Sequence, residues 1–179
     1  MIYSTHYSSP VGLYTLASNG ESLIGLWVEE QKYFGNTVME SMTENSALPI
    51  FAVTKKWLDR YFSGEKPAIS DLSLAPNGGT FRKAVWDILC EIPYGKVITY
   101  GDIAKKMASR MDKEHMSSQA VGGAVGHNPI SIIIPCHRVV GSNGSLTGYA
   151  GGIDKKIKLL EHEGVDMTHL FKPVKGTAL

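Results

Sequence analysis

Ile130-Ser131-Ile132-Ile133-Ile134-Pro135-Cys136-His137-Arg138-Val139-Val140 passes from an apolar run through a proline straight into a thiol, an imidazole and a guanidinium. Read alone, Ile130–Pro135 is an extended buried segment. A free cysteine is most often a small buried hydrophobe. Here the proline stiffens the backbone ahead of Cys136, and His137 and Arg138 give its thiol a reason to ionise. The thiolate is the nucleophilic form. Neighbours in an extended chain point to opposite sides, so His137 needs a bend or a bridging water to serve Cys136 as a base. A carboxylate orienting the imidazole would complete a nucleophile–base–orienter chain, and Glu163 is the candidate.

Downstream, the glycine-rich stretch Gly141–Gly152, which contains Tyr149, reads as a loop. A helix is expected from Ile153 to His162, ending at Gly164. The tail to Leu179 has weak pattern and is expected to be loosely attached. Upstream, Thr80 caps a helix with Phe81, Ala84, Val85, Ile88 and Leu89 at helical spacing; Cys90, on the same helix, reads as packing. Pro93-Tyr94-Gly95 is a turn, and Thr99-Tyr100-Gly101-Asp102 is a variant capping box opening a helix with Ile103, Ala104 and Met107 inside. After the basic loop Ser109–His115, Ser117–Gly126 is a small-residue helix that can approach another backbone closely. Two short helices across a turn read as helix-turn-helix, with a long spacer. By themselves, Tyr100 and Tyr149 read as half-buried packing, and Asn128, before Pro129, as a turn former.

The first third reads as β. Tyr3–Tyr7, Leu13–Ala17 and Leu23–Val28 are β-prone, with Ser9-Pro10-Val11-Gly12 and Asn19-Gly20 as turns. They make a three-stranded antiparallel meander. An amphipathic helix follows over Pro49–Phe62, with Phe51, Val53, Trp57, Leu58, Tyr61 and Phe62 on one face. Ala75-Pro76-Asn77-Gly78-Gly79 is a linker. The expected organisation is α+β: a β/α domain over 1–75, a helical domain over 80–165 and a tail over 166–179.

The composition, 43% apolar and 20% charged, excludes a disordered or fibrous chain. The N-terminus does not resemble a secretory signal, and no apolar run approaches the roughly 20 residues a membrane helix needs. Two cysteines, with no Cys-x-x-Cys or His-x-x-x-His pair, argue for a reducing compartment, the cytoplasm, and against a zinc site. Residues 1–79 hold five Lys/Arg against eight Asp/Glu, and the remainder thirteen against nine. An anionic partner is therefore expected at the second half.

Together, Pro135-Cys136-His137-Arg138-Val139, the preceding Gly122-Gly123-Ala124 and Asn128-Pro129, and the following Gly148-Tyr149-Ala150-Gly151-Gly152 and Leu160-Glu161-His162-Glu163-Gly164 closely resemble the O6-alkylguanine-DNA alkyltransferases. The likeness runs from about Thr80 to Gly164; the first third matches only in layout. It implies a ribonuclease-H-like N-terminal domain and a winged-helix-like C-terminal domain with helix-turn-helix and acceptor cysteine. It implies duplex DNA carrying O6-alkylguanine as partner, a single-turnover transfer with no cofactor or metal, and a monomer; O4-alkylthymine is left open as a second substrate. By that resemblance Cys136 accepts the alkyl group, His137 deprotonates it through a water, and Glu163 hydrogen-bonds His137. Asn128 stabilises the turn behind the site, and the Tyr100 hydroxyl contacts the flipped guanine. Val125, Val139, Tyr149, Ala150 and Gly151 form the base pocket, with the Cys136 and Val139 carbonyls accepting from the base's amino group. Ser118, Gln119, Ala120 and Gly123 face the DNA.

Two departures stand out. Where the family commonly inserts an arginine into the duplex, this chain has Gln119, and the zinc ligands of some relatives are absent. The long Ser109–His115 loop carries Arg110 and Lys113, which are expected to recover phosphate contact. An alkyltransferase-like binding protein lacks the cysteine, a transcription regulator leaves the Cys-His run unexplained, and a cysteine hydrolase does not usually place Cys beside His. The Arg110→Ala/Lys113→Ala variant should shallow the salt dependence of DNA binding by about 0.9 in log–log slope for each phosphate it no longer neutralises. An unchanged slope in a salt titration removes both residues from the interface.

Overall fold

The computed structural model describes residues 1–174. The chain forms two compact units: residues 1–78 with 129–133, and residues 79–128 with 134 onward. The first unit therefore includes the four residues, 130–133, that begin the run opened above.

In the first unit, β1 (Ile2–Ser9), β2 (Gly12–Ser18) and β3 (Leu23–Val28) form the expected antiparallel meander. Asn19 makes the second turn, its side-chain oxygen accepting from the backbone N–H of Glu21 and Ser22. The sheet has four strands, not three. β4 (Met42–Glu44) pairs parallel to β1, giving the order β3-β2-β1-β4. Three residues with little burial carry no alternation to read, so only the pairing reveals this strand.

Helix α1 (Pro49–Phe62) has its proline in the first turn, where a missing N–H costs nothing. It buries Ile50, Phe51, Thr54, Trp57, Leu58 and Tyr61. Val53, expected on this face, is 48% exposed, and Thr54 takes the inward position because its hydroxyl is satisfied by the Ile50 carbonyl at 2.7 Å. Trp27 is buried over Gly25: a Cβ there would lie 2.0 Å from the indole ring.

The segment read as extended is not so. Leu26 of β3 donates to the Pro129 carbonyl at 2.8 Å and accepts from the Ser131 N–H at 3.0 Å, so the chain pairs briefly there. It then turns through Ser131–Ile133, with Ile132 at φ +69°. A β-branched residue in the left-handed region is strained. Ile130, Ile132, Ile133 and Ile134 are all buried, so an unbroken apolar run marked burial without specifying conformation.

The second unit contains α2 (Thr80–Cys90), β5 (Ile98–Thr99), α3 (Tyr100–Arg110), α4 (Ser118–Gly126), a single 3-10 turn at Cys136–Arg138, β6 (Val139–Val140) and α5 (Ile153–His162). β5 and β6 pair in parallel. Thr80 does not cap α2; Gly79 is the cap, with no side-chain bond, and Thr80 is already helical. The capping box of α3 is present: Thr99 Oγ1 accepts from the Asp102 N–H, and Asp102 accepts from the Thr99 N–H. Ser117 caps α4 through the Ala120 N–H. The Trp86 indole ties α2 to α4 by donating to the Ala124 carbonyl at 2.9 Å.

A second core gathers Val140, Leu146, Ile153 and Leu160, with Val165, Met167 and Leu170 packed on it. Residues 165–171, expected to be loose, are thus held by apolar burial. Phe171 also exchanges backbone bonds with Gly144 and Leu146; the end of that tail, 175–179, lies outside the described residues. Among the described residues, no helix is long and apolar enough to cross a membrane.

Gly25→Ala should destabilise the first unit by about 1–3 kcal/mol, the usual cost of overpacking a filled core. Urea unfolding followed by tryptophan fluorescence measures it, and an unchanged midpoint would show that Trp27 swings aside freely.

Candidate active site

The 3-10 turn supplies the bend that an extended chain lacked. It places the sulfur of Cys136 in hydrogen-bonding range of its own N–H and that of His137. Asn128 closes the base of the 129–133 excursion. Its side-chain amide donates to the Ile134 carbonyl at 2.8 Å and also hydrogen-bonds the Cys136 sulfur. Burial raises the thiol's pKa, opposed first by Asn128, then by the Lys156 charge, then by the two backbone N–H groups. Cys136 is 6% exposed, so a reaction partner must be brought to it.

His137 and Glu163 meet through Nε2 and Oε2, both side chains fully buried. Burial lowers the imidazole's pKa, against the pull of Glu163, which favours the neutral ring. Its Nδ1 has no hydrogen-bond partner among the described residues. Glu163, just past the end of α5, accepts also from Arg138 Nε at 2.7 Å and from the Gly95 N–H at 3.1 Å. Burial alone would raise its pKa, but the His137 and Arg138 bonds and charges hold the carboxyl well below the usual range.

Arg138 does not act on the thiol as the sequence implied. It spends its donors on Glu163 and, at 2.7 Å, on the Ile92 carbonyl, and its guanidinium lies 5.6 Å from the centre of the Tyr94 ring. The cation acting on Cys136 is Lys156, which sequence reasoning missed. Lys156 is fully buried on the inner face of α5 and donates to the Val139 carbonyl and, at 3.1 Å, to the Thr147 carbonyl. Burial pushes its pKa down to about 8. The available signal was its phase: Lys156 sits three residues after Ile153 and four before Leu160, on the apolar stripe.

Tyr100, at the start of α3, donates its hydroxyl to Thr147 at 3.0 Å, and burial followed by the Cys136 charge raises its pKa. Its ring lies beside Gly122, and its hydroxyl beside Gly148 (φ +88°), where a Cβ would come within 2.5 Å of that oxygen. Val125, Val139 and Tyr149 are buried, and Ala150 and Gly151 partly so. The Cys136 and Val139 carbonyls each already accept one bond, from the Val139 N–H and from Lys156.

Ser118, Gln119, Ala120 and Gly123 form an exposed edge of α4. Lys113 is exposed; Arg110 is exposed too, but paired with Glu91 at 2.6 Å. Cys90, half-buried, has its pKa raised to about 11 by burial and by Asp87 and Glu91, which keeps it protonated. Among the described residues, no group of three or more His, Cys, Asp or Glu could hold a metal ion.

A buried thiol, a buried His–Glu pair and the helix pair α3 and α4 lie together in the second unit. Residues 80–165 match the family described as "6-O-methylguanine DNA methyltransferase, DNA binding domain", and residues 2–76 its "ribonuclease-like domain". The chain belongs to the 6-O-methylguanine DNA methyltransferase family. It is 41% identical over 164 residues to the methylated-DNA–protein-cysteine methyltransferase of Haemophilus influenzae, covering 92% of this chain and 87% of that one. The Methanosarcina acetivorans protein of the same name is 42% identical, covering 91% and 99%. Among solved structures, Mycobacterium tuberculosis OGT in complex with DNA superposes with a TM-score of 0.79 at 39% identity, covering 90% and 92%. The Pyrococcus kodakaraensis O6-methylguanine-DNA methyltransferase gives 0.64 at 25%, covering 92% and 100%.

The buried ion network makes the fold acid-sensitive. A carboxyl held below its unfolded value of 4.5 contributes stability that is present above that pH and lost as pH falls. His137, lowered from 6.5, acts in the same direction, starting earlier. The stability gap between wild type and Glu163→Gln should therefore be widest above pH 4.5 and narrow below it. A gap that stays constant down to about pH 3 in denaturant titrations would take Glu163 out of the ion network.

Proposed function

We propose that this protein reverses DNA alkylation damage directly, moving the alkyl group of an O6-alkylguanine to Cys136 once and irreversibly. The buried Cys136 thiol, hydrogen-bonded by Asn128 and followed directly in the chain by the His137 of a buried His137–Glu163 pair, is the observation that carries this reading. A thiol this deep cannot reach an alkyl carbon inside a base stack, so the nucleotide must leave the duplex; a mispairing base lowers that cost of a few kcal/mol.

His137 takes the thiol proton at Nδ1 through one water, and Glu163 stabilises the imidazolium from Nε2. The thiolate attacks the alkyl carbon; the S–C bond forms as the C–O6 bond breaks, and the electron pair stays with the base. Tyr100 turns its hydroxyl from Thr147 to the base, offsetting that charge, and the displaced proton restores neutral guanine. The thioether is not hydrolysed, so each molecule acts once. Gln119, on the exposed edge of α4, fills the gap left by the flipped base without adding a charge. The protein works as a monomer in the cytoplasm, where both thiols stay reduced.

Incubation with an oligonucleotide carrying O6-methylguanine should add one methyl to the intact mass, and Cys136→Ala should add none. No adduct, or repeated turnover, excludes the reading.

A further inference from the structure

We propose that residues 165–172 form a strap that positions Tyr100 for alkyl transfer: the backbone of Phe171 fixes the loop Gly144–Gly148, on which the Tyr100 hydroxyl rests. The inference rests on the alkyl-transfer reading above.

The loop's own backbone bonds close only its first part, where the Gly144 N–H donates to the Gly141 carbonyl and the Gly141 N–H to the Ser145 carbonyl. Leu146 then enters the apolar core, and its N–H needs an acceptor there. That acceptor is the Phe171 carbonyl at 2.9 Å, and Phe171 returns its own N–H to the Gly144 carbonyl at 3.0 Å. The two bonds flank Ser145, which pairs with Phe171 in a single parallel bridge. One bridge is weak by itself, so the strap is held from both sides. Met167 and Leu170 pack on the core of Val140, Leu146, Ile153 and Leu160, and Lys172 Nζ meets Asp154 of α5 at 2.9 Å. The fit is close. At Gly144 (φ +90°) a Cβ would lie 2.0 Å from the His169 carbonyl oxygen, so strap and loop meet only because that residue is glycine.

One residue past Leu146, the Thr147 carbonyl accepts from the Tyr100 hydroxyl at 3.0 Å. One residue further, the Gly148 backbone crowds the same oxygen: a Cβ there would come within 2.5 Å of it. The position of the loop therefore sets where the hydroxyl waits before it turns to the base. Moved outward, the loop releases it; moved inward, the Gly148 backbone displaces it. A misplacement of about 1 Å that begins away from the chemistry can cost on the order of a hundredfold in rate. None of the partners that hold the strap lies on α3 or α4. The strap thus acts on the chemical step and leaves the exposed edge of α4 free for DNA.

Phe171→Pro removes the N–H that meets the Gly144 carbonyl, and Phe171→Leu keeps it. Each is checked for folding by circular dichroism and melting temperature. Amide exchange at Leu146, followed by NMR, should speed at least about tenfold in Phe171→Pro and stay at the parent rate in Phe171→Leu. Both are then reacted in single turnover with O6-methylguanine duplex over a range of DNA concentrations. The limiting rate of methyl arrival at Cys136 should fall at least about fivefold in Phe171→Pro and stay within about twofold of the parent in Phe171→Leu. The half-saturating DNA concentration should hold in both. In a Tyr100→Phe background, Phe171→Pro should cost less than about twofold further, because the group it misplaces is gone. A loss through general loosening of the fold would persist in that background. Unchanged exchange at Leu146, an unchanged limiting rate, an equal fall in Phe171→Leu, or a full fall in the Tyr100→Phe background overturns the proposal. Should Phe171→Pro not fold, Leu170→Asp, which drives the strap off the apolar core, decides by the same readings. If the parent itself gains no methyl, the alkyl-transfer reading fails first, while exchange at Leu146 still reports on the strap.

Discussion

A carboxylate placed out of reach of water stays charged only if its oxygens are fully partnered. Glu163 is such a group, and it collects an imidazole and a guanidinium from the turn at Cys136–Arg138 and a backbone N–H from Gly95. Through His137 it sets which ring nitrogen is left for chemistry. Through Arg138 it anchors the turn that carries Cys136, and through Gly95 it fixes the approach to β5 and α3. Gly95 sits at φ +76°, with the Glu163 carbonyl 3.0 Å from where a Cβ would be, so the turn is close enough to donate only as glycine. One buried charge thus sets the positions of the base, the nucleophile's backbone and the helix that begins with Tyr100.

A similar economy appears around the thiol. Asn128 holds both ends of the excursion over residues 129–133 and hydrogen-bonds the sulfur. The strain at Ile132 is stored inside that excursion, just ahead of the nucleophile. Backbone strain persists only where the surroundings over-determine it, here through four buried isoleucines and the pairing of Leu26 with the segment. Cys136 receives its help from backbone N–H groups, an amide and Lys156, while both polar side chains that follow it in sequence, His137 and Arg138, are committed to Glu163.

Much of the architecture was legible because it rests on local rules. The helices Pro49–Phe62 and Ile153–His162, the meander and the capping box follow from spacing, turn chemistry and caps, which the chain states over a few residues at a time. β4 was not legible, since a three-residue strand is defined by its partner rather than by its own pattern. Nor was the shape of Ser131–Ile133: four isoleucines announce burial, and nothing local announces a left-handed turn. Val53 misled because its hydrophobicity favours the inside, while Thr54 could go there with its hydroxyl internally satisfied.

The run through Pro135-Cys136-His137-Arg138 divides the same way. The sequence by itself determined the inventory: a thiol behind a proline, an imidazole beside it, a carboxylate after a helix, and the order of motifs that marks the family. The tertiary structure decided which group acts on which. It turned the chain at Cys136, gave the arginine to Glu163 and brought Lys156 in from twenty residues away to act on the sulfur. The reason is that charge interactions in a dry interior depend on distance and burial, both set by packing between elements remote in sequence.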